Sequence, residues 1–332
     1  MTIEFTVNPS LNILSSFAEK LKVPVVQNKL SIPTWLGNGF IKKIEVEQQL
    51  KFVLHHYTLV QDLHLRRISS DDKNDLISIV FNSHETLSAD SSEGIEITRP
   101  SNASSAAIQV ASSSLGTESF FAEGSKVYFA VISISTTLLR SFFQLEITNH
   151  LVQTILNSEV PFFYHESMTP EIDRIVKQLA ESNEQSELGY LFYKAKVLEL
   201  LYLLIKKLLD RQVEQHNSIN NRDVAMLYEI RAAIIADLSK PPRLPDLARF
   251  AGMSETKMKQ LFKQVFGDTI YNFYQNERMA EAAYLLKQSH RSVAEVGFQL
   301  GFTNLSHFSR LFQRYSGQAP KKYSSMNDKS LR

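Results

Sequence analysis

Residues Leu244 to Ser324 hold one structural unit written twice, and no other feature limits the fold of the chain as tightly. Leu247-Ala248-Arg249-Phe250-Ala251-Gly252-Met253 overlays Val296-Gly297-Phe298-Gln299-Leu300-Gly301-Phe302 at an offset of 49. Past the turn the offset becomes 50, so that Met258, Leu261, Phe262 and Gly267 overlay Phe308, Leu311, Phe312 and Gly317. Each copy reads as a short helix, a glycine turn and a second helix, which is the pattern of a helix-turn-helix pair.

The capping signals agree with that reading. Pro245 and Asp246 suit a helical first turn, Gly252 breaks the helix, and Ser254 restarts it as N-cap with Glu255 against the helix dipole. In the second copy Ser292 and Glu295 form a Ser-x-x-Glu capping box, Gly301 breaks the helix, and Asn304 or Thr303 caps the next one. Asp223 to Leu238 is predicted to be a helix packed on the first copy, ended by Pro241 and Pro242, and Ile270 to Lys287 a helix connecting the two units.

The second helices of the two copies are amphipathic in the same way. Met258, Leu261, Phe262 and Val265, and likewise Phe308, Leu311, Phe312 and Tyr315, are predicted to face a core. Thr256, Lys259, Gln260 and Lys263 then face out of the first helix, and Ser306, Ser309, Arg310 and Gln313 out of the second, in register at 50. Such a face is short, cationic and hydrogen-bonding, and it carries no carboxylate. It suits a major groove, where Lys and Arg can bond guanine, Gln can bond adenine, and Ser or Thr can bond several bases. A solvated helix surface explains either face alone, but not its repetition in a basic segment. Two such helices fit successive major grooves roughly 34 Å apart on one side of a duplex.

Charge is distributed to match. Residues 222–332 carry 17 Lys+Arg and 10 Asp+Glu, a net +7, whereas residues 1–221 carry 19 and 25, a net −6. A basic C-terminal third implies a polyanionic partner for that part only. The 332 residues leave room for two domains, and 43% apolar content is enough for each to have a core. Zero cysteines exclude disulfides, thiolate metal sites and cysteine nucleophiles. The chain lacks a run of about 18 uncharged apolar residues and a signal-peptide pattern, so the expectation is a cytoplasmic protein that makes no membrane contact.

Upstream, residues 1 to about 38 offer a short helix around Leu11 to Leu21 and a lone Trp35, expected to be a buried structural indole. From Phe40 to Ile134 the apolar runs are short and β-branched. Phe52-Leu54, Leu76-Phe81, Ile95-Ile97, Ala107-Val110 and Val127-Ile132 read as strands, with Ser83-Gly94 and Ser112-Thr117 as loops, which implies a barrel or sandwich. Helical spacing then predicts helices over Thr137-Gln144, Thr148-Asn157, Thr169-Ser182 and Leu188-Gln212. In the last of these Leu188, Leu191, Phe192, Ala195, Leu198, Tyr202, Ile205 and Leu209 form one stripe, and Val197, Leu201, Leu204 and Leu208 widen it. So broad a surface must be covered by the N-terminal domain or by a second subunit in a homodimer. Polar Gln215 to Arg222 reads as a linker. The fold class is therefore α+β: a β-rich barrel or sandwich over 1–160, a helical relay or dimerisation region over 161–216, and an all-α domain of two helix-turn-helices joined by a helix over 217–332.

These residues resemble the AraC/XylS class of bacterial transcription regulators. The likeness covers roughly Asp223 to Ser324. It rests on Leu247-Ala248, Gly252-Met253-Ser254, Leu261-Phe262-Lys263, Phe266-Gly267, Arg278 with Ala282 and Leu285-Leu286, Val296-Gly297-Phe298, Gly301-Phe302, His307 to Phe312, and Gly317 with Pro320. It implies a domain that binds double-stranded promoter DNA, with RNA polymerase as a further partner and Thr256, Lys259, Gln260, Lys263, Asn304, Ser306, Ser309, Arg310 and Gln313 as DNA-binding residues. Lys259-Gln260 stands where a Ser-Arg pair is frequent, and Ala319 where Thr is usual, so the base preference of the first helix stays open. A narrower likeness joins Tyr190 to Leu201, Lys257-Met258-Lys259 and Phe266 to Tyr271 to the regulators of siderophore-uptake genes, the pyochelin and yersiniabactin regulators. That likeness implies an N-terminal domain which binds a small-molecule effector, a ferric siderophore, through residues no motif identifies.

Enzymatic chemistry has no counterpart in the chain. No P-loop, dinucleotide fingerprint, His-Glu-x-x-His or nucleophile elbow occurs, and no cofactor or catalytic residue is expected. His55, His56 and His64 lack the spacing of a cupin metal site and are read as ordinary histidines. Two functions remain: a ligand-responsive activator, or a regulator whose N-terminal domain is a dimerisation or protein-interaction module. A largely apolar pocket of several hundred cubic ångströms favours the first, and a filled barrel the second.

Overall fold

The computed structural model describes residues 1–6, 13–68, 75–82, 107–144, 147–157, 160–182, 187–211, 217–287 and 291–328. These fall into two compact units, one drawn from residues up to 225 together with 264–267, the other from 226–263 and from 268 onward.

The first unit begins β1 (Thr2–Thr6), α1 (Ile13–Leu21), β2 (Val25–Val26), β3 (Lys29–Ser31), β4 (Gly37–Glu47), β5 (Leu50–Leu59), β6 (Leu63–Ile68) and β7 (Leu76–Asn82). It continues with β8 (Ala107–Ser112), β9 (Thr117–Phe121), β10 (Lys126–Ser135), α2 (Thr136–Ser141), α3 (His150–Asn157), β11 (Phe163–Ser167), α4 (Pro170–Glu181) and α5 (Gly189–Leu209). An antiparallel sheet runs in the order β11-β8-β7-β10-β5-β4-β3-β2, and a second, β1-β6-β9, has β1 parallel to β6. The arrangement is a sandwich. The two strands expected at Leu76-Phe81 and Val127-Ile132 are its adjacent central pair, with Ile79 opposite Ile132. The strand and loop expected within 83–106 lie outside the described residues.

Strict alternation divides the large sheet into two faces with different coverings. Ile77, Ile79, Phe81, Ala130, Ile132 and Ile134 lie in one core with α3, α4 and α5, through Val152, Ile175, Val176, Val197, Leu201 and Leu204. Fully burying each such side chain contributes roughly 1.5–3 kcal/mol, which makes this helical layer part of the sandwich's own core. The opposite face meets the small sheet: Ile3, Leu63, Leu65 and Phe121 close on Val53, Tyr57 and Val127.

Three expectations are corrected here. In α5 the buried positions are Tyr193, Val197, Leu200, Leu201, Leu204, Ile205 and Leu208, whereas Leu188, Leu191, Tyr202 and Leu209 are exposed. The residues that seemed only to widen the stripe form its centre, because the sheet presents a flat surface that a face broader than one row can cover. Trp35 is 49% exposed in the turn before β4, and its neighbour Leu36 takes the buried place. β11, unforeseen among the helices, returns the chain to the sheet edge beside β8 with Tyr164 opposite Val110.

The second unit comprises most of α6 (Asn221–Ala236), then α7 (Leu244–Ala251), α8 (Glu255–Phe266), α9 (Ile270–Lys287), α10 (Val293–Gln299), α11 (Leu305–Ser316) and α12 (Pro320–Asp328). The connecting helix α9 has the predicted bounds and packs against α10, α11 and α12.

His55 on β5 yields a test of the inner core. It is buried, stacked on Phe129 with ring centroids 4.0 Å apart, and burial pulls its pKa down to about 3. An unfolded histidine titrates near 6.5, so between these values only the unfolded chain gains the proton and stability falls with pH. We expect wild type to lose about 1.4 kcal/mol per pH unit relative to His55→Leu across that window, and nothing above it. Denaturant melts of both proteins from pH 7.5 to 4.5 measure this, and parallel curves would show that His55 titrates normally.

Candidate functional site

The two copies share backbone chemistry at the turn as well as sequence. Met253 N donates to Ala248 O at 3.0 Å, and Phe302 N to Gly297 O at 2.9 Å, the same bond displaced by 49 residues. Gly252 and Gly301 both adopt the left-handed conformation, with φ of 61° and 76°, which only glycine enters without cost. From the N-caps onward the offset is 50: Ser254 Oγ accepts from Lys257 N, and Asn304 Oδ1 from Ser306 N and His307 N. The extra residue therefore lies inside the turn. At the start of α10 the capping box is complete, and the Ser292 amide holds the Glu295 carboxyl below its ordinary range.

Each second helix buries one face and leaves the other to solvent. Met258, Leu261, Phe262 and Val265 are buried in α8, as are Phe308 and Phe312 in α11. Leu311 is half-buried and Tyr315 exposed, contrary to expectation. Tyr323 of α12 packs on Phe312 at 5.2 Å, and the apolar stripe of α11 ends there, one turn earlier than in α8.

Thr256, Lys259, Gln260 and Lys263 are exposed on α8, and Ser306, Arg310 and Gln313 on α11, where Ser309 is half-buried. Asn304 is exposed too, but its side-chain oxygen is committed to the cap. Glu255 lies 3.7 Å from Lys259, so a carboxylate borders the first face after all. An exposed pair of this kind contributes only about 0–1 kcal/mol and leaves the lysine available. Among the described residues Arg310 has no carboxylate within salt-bridge distance. Exposed Arg314, Lys321 and Lys322 add positive charge near this face.

α9 ties the two copies together. Phe273 meets Phe262 of α8 edge to face at 5.4 Å, and Tyr274 Oη donates to Leu238 O at 3.2 Å. Further along the same helix the Arg278 guanidinium donates twice to Leu300 O, at 2.8 and 2.5 Å, and lies 3.7 Å from the Phe302 ring. The second helix of the first copy and the turn of the second are thereby fixed to one rod.

A second site lies between the sheets of the first unit. The inner face of the sandwich encloses a cavity of about 240 Å³. Phe5, Val53, Leu65, Phe121 and Phe129 line it with apolar groups, and Ser78, Asn82, Gln109, Ser133 and Ser135 with polar ones. Sequence reading named none of these as functional. The available signal was Arg67, the third residue of the inward row Leu63, Leu65, Arg67 on β6, where a charge occupies an apolar position. The described residues contain no cluster of side chains suited to a metal ion; His56 packs against Phe40 and Tyr128, and His64 lies 3.4 Å from Glu118. Among them no helix is long and apolar enough to cross a membrane.

Paired helix-turn-helices on a common helix, in a chain whose first unit is a β-sandwich with its own cavity, define an AraC-type DNA-binding regulator of transcription. Residues 37–220 match the family described as the regulatory protein PchR N-terminal domain, and residues 247–326 match a helix-turn-helix domain family. The chain belongs to the PchR-type family, whose domain model spans more than half of it. It is 34% identical over 96 residues to the transcriptional activator RhaR of Klebsiella pneumoniae, a match covering 29% of this chain and 34% of that one. It is 28% identical over 178 residues to an HTH-type transcriptional regulator of Haemophilus influenzae, covering 51% and 57%. The chain thus spans about a third to just over half the length of these curated relatives. Among solved structures it is similar to an AraC-type regulator from Chromobacterium violaceum, with 26% identity, coverage of 32% of this chain and 96% of that one, and a TM-score of 0.30. The matched families and relatives are regulators of transcription, not enzymes.

The two turn glycines differ in their surroundings, and this separates local from tertiary strain. A Cβ on Gly301 would lie 1.9 Å from the Ser239 carbonyl oxygen, whereas one on Gly252 meets nothing within 4 Å. Gly252→Ala should cost about 1–2 kcal/mol, the left-handed penalty alone. Gly301→Ala adds a backbone overlap and should cost about 4 kcal/mol or more. Chemical denaturation of both variants measures the difference, and equal losses would contradict the close approach.

Proposed function

We propose that this chain is a transcription activator that binds promoter DNA through the outward faces of α8 and α11 and is controlled by a small molecule held in its N-terminal sandwich. The observation that carries the DNA half is the repeated face itself: Thr256, Lys259, Gln260 and Lys263 on one helix, and Ser306, Ser309, Arg310 and Gln313 on the other, at equivalent positions of two units fixed to α9. One monomer would present two recognition helices to successive major grooves. Asn304 acts there as the cap that presents the start of α11. Activation implies contact with RNA polymerase, and the activator named among the relatives supports that direction.

The cavity supports the sensing half. A filled sandwich would favour a protein-interaction module, whereas this one keeps a cavity. The resemblance to the pyochelin and yersiniabactin regulators supports a ferric siderophore as effector. Allosteric control requires that the effector bind the DNA-competent and incompetent states with different affinity. Calorimetry of the whole chain with ferric siderophores, with and without operator DNA, reads both binding and coupling. Exposed Leu188, Leu191, Tyr202 and Leu209 on α5 support a second copy as the covering of that surface.

Lys259→Ala and Arg310→Ala should each weaken binding to the specific site by about 1–3 kcal/mol and relax base preference at the contacted position. Gel-shift titrations on the operator and on single-base variants measure both effects, and unchanged specific binding in both proteins would remove these faces as readers. A fragment of residues 217–332 should retain DNA affinity that falls steeply with salt. A folded fragment without such affinity would refute a self-sufficient DNA-binding domain.

A further inference from the structure

The charges around the sandwich cavity are unbalanced. Lys43, Lys51 and Arg67 line it, against a single lining carboxylate, Asp75, which lies within 3.3–3.5 Å of the Thr136 and Thr137 hydroxyls. Lys43 reaches Glu45 at 2.7 Å, toward the surface. Arg67 differs from both lysines. It is 95% buried, and its only hydrogen bond among the described residues runs from Nη2 to Leu115 O at 2.7 Å. Its Nε finds no acceptor there, and among the described residues no carboxylate lies within salt-bridge distance.

The adjacent residue provides an internal control. Arg66, one position along β6 and therefore on the outer face, lies 3.1 Å from Glu4 and 2.7 Å from Glu118. The strand thus places a compensated arginine in water and an uncompensated one in the interior. Burial pulls Arg67 down to about 10, still far above neutral pH, so it stays charged. A charge removed from water without a partner costs several kcal/mol, a cost that an anion at Nε would offset. Beyond the charge, Val53, Leu65, Phe121 and Phe129 offer an apolar wall.

We propose that the cavity binds an amphipathic organic carboxylate, whose carboxyl group is received by Arg67 and whose apolar body lies against Val53, Leu65, Phe121 and Phe129. This deepens the effector reading and rests on it, since it names the chemistry of the ligand for the same cavity. At about 240 Å³ the cavity lies slightly below the range of roughly 300–1,000 Å³ common for ligand sites, so a compact carboxylate fits best.

The test uses the full chain and two isosteric fluorescent probes, 2-naphthoate and its neutral amide, 2-naphthamide. Wild type should bind naphthoate at least tenfold more tightly than the amide. Arg67→Met should abolish that preference while still binding the amide as wild type does, and Arg67→Lys should keep part of it. The thermal midpoint of unliganded Arg67→Met should equal or exceed that of wild type, because removal of an uncompensated buried charge relieves a cost; a structural arginine would lower it. Equal affinity of wild type for the two probes overturns the carboxylate proposal and leaves a small-molecule site standing. Failure of both probes to bind overturns the proposal and the cavity's role together. A preference that survives in Arg67→Met overturns the assignment of Arg67.

Discussion

Arg278 sets the geometry on which the DNA-binding half depends. Its guanidinium is buried, yet it spans the carbonyl of Leu300 at the end of α10 and the ring of Phe302 at the start of the next turn. Hydrogen bonds to a charged group contribute about 1.5–3 kcal/mol, and a desolvated cation over an aromatic ring about 2. The negative end of the α10 dipole lies at the same point and favours the cation further. Together these terms offset the desolvation of one charge and leave a directional lock, which an apolar residue of equal size could not supply. With Phe273 against Phe262 on the same helix, the outward faces of α8 and α11 acquire a defined separation. Two weak readers held apart in this way would bind as one strong reader.

In the N-terminal half the governing constraint is the alternation of the large sheet. One face commits Ile77, Ile79, Phe81 and Ile132 to the helices α3 to α5, and the other commits Val53, Val80 and Phe129 to the space under the small sheet. Both faces are covered, the second around a cavity lined by Arg67, which has no carboxylate partner among the described residues. Protein interiors are otherwise close-packed, so we read a cavity lined by such a charge as a ligand site rather than as poor packing.

Legibility in the sequence followed the range of the interactions involved. The helix-turn-helix pair was readable because its determinants are local: Gly252 and Gly301 at left-handed turns, the Ser292-Glu295 box, the bounds of α9, and outward residues in register. What failed there was a neighbour effect, since Tyr315 loses its core place only because α12 closes on Phe312. The sandwich was readable in its central strands, where apolar β-branched runs are continuous, but not at β11, β6 or β9, whose five or six residues pair with partners distant in the chain. The face of α5 was misassigned because helical spacing locates a stripe and not its covering. Arg67 was invisible for the same reason: a charge on a strand becomes meaningful only when the opposite sheet is known to shut it in.

The central claim is that two helices of one chain read one stretch of duplex. Guanine N7 methylation interference on the operator, with the full-length protein, tests it directly, because N7 lies in the major groove where the faces of α8 and α11 would contact bases. The account expects two clusters of interfering guanines about one helical turn apart on the same side of the DNA for each bound monomer. A single cluster per monomer, or two clusters on opposite sides of the DNA, would contradict it.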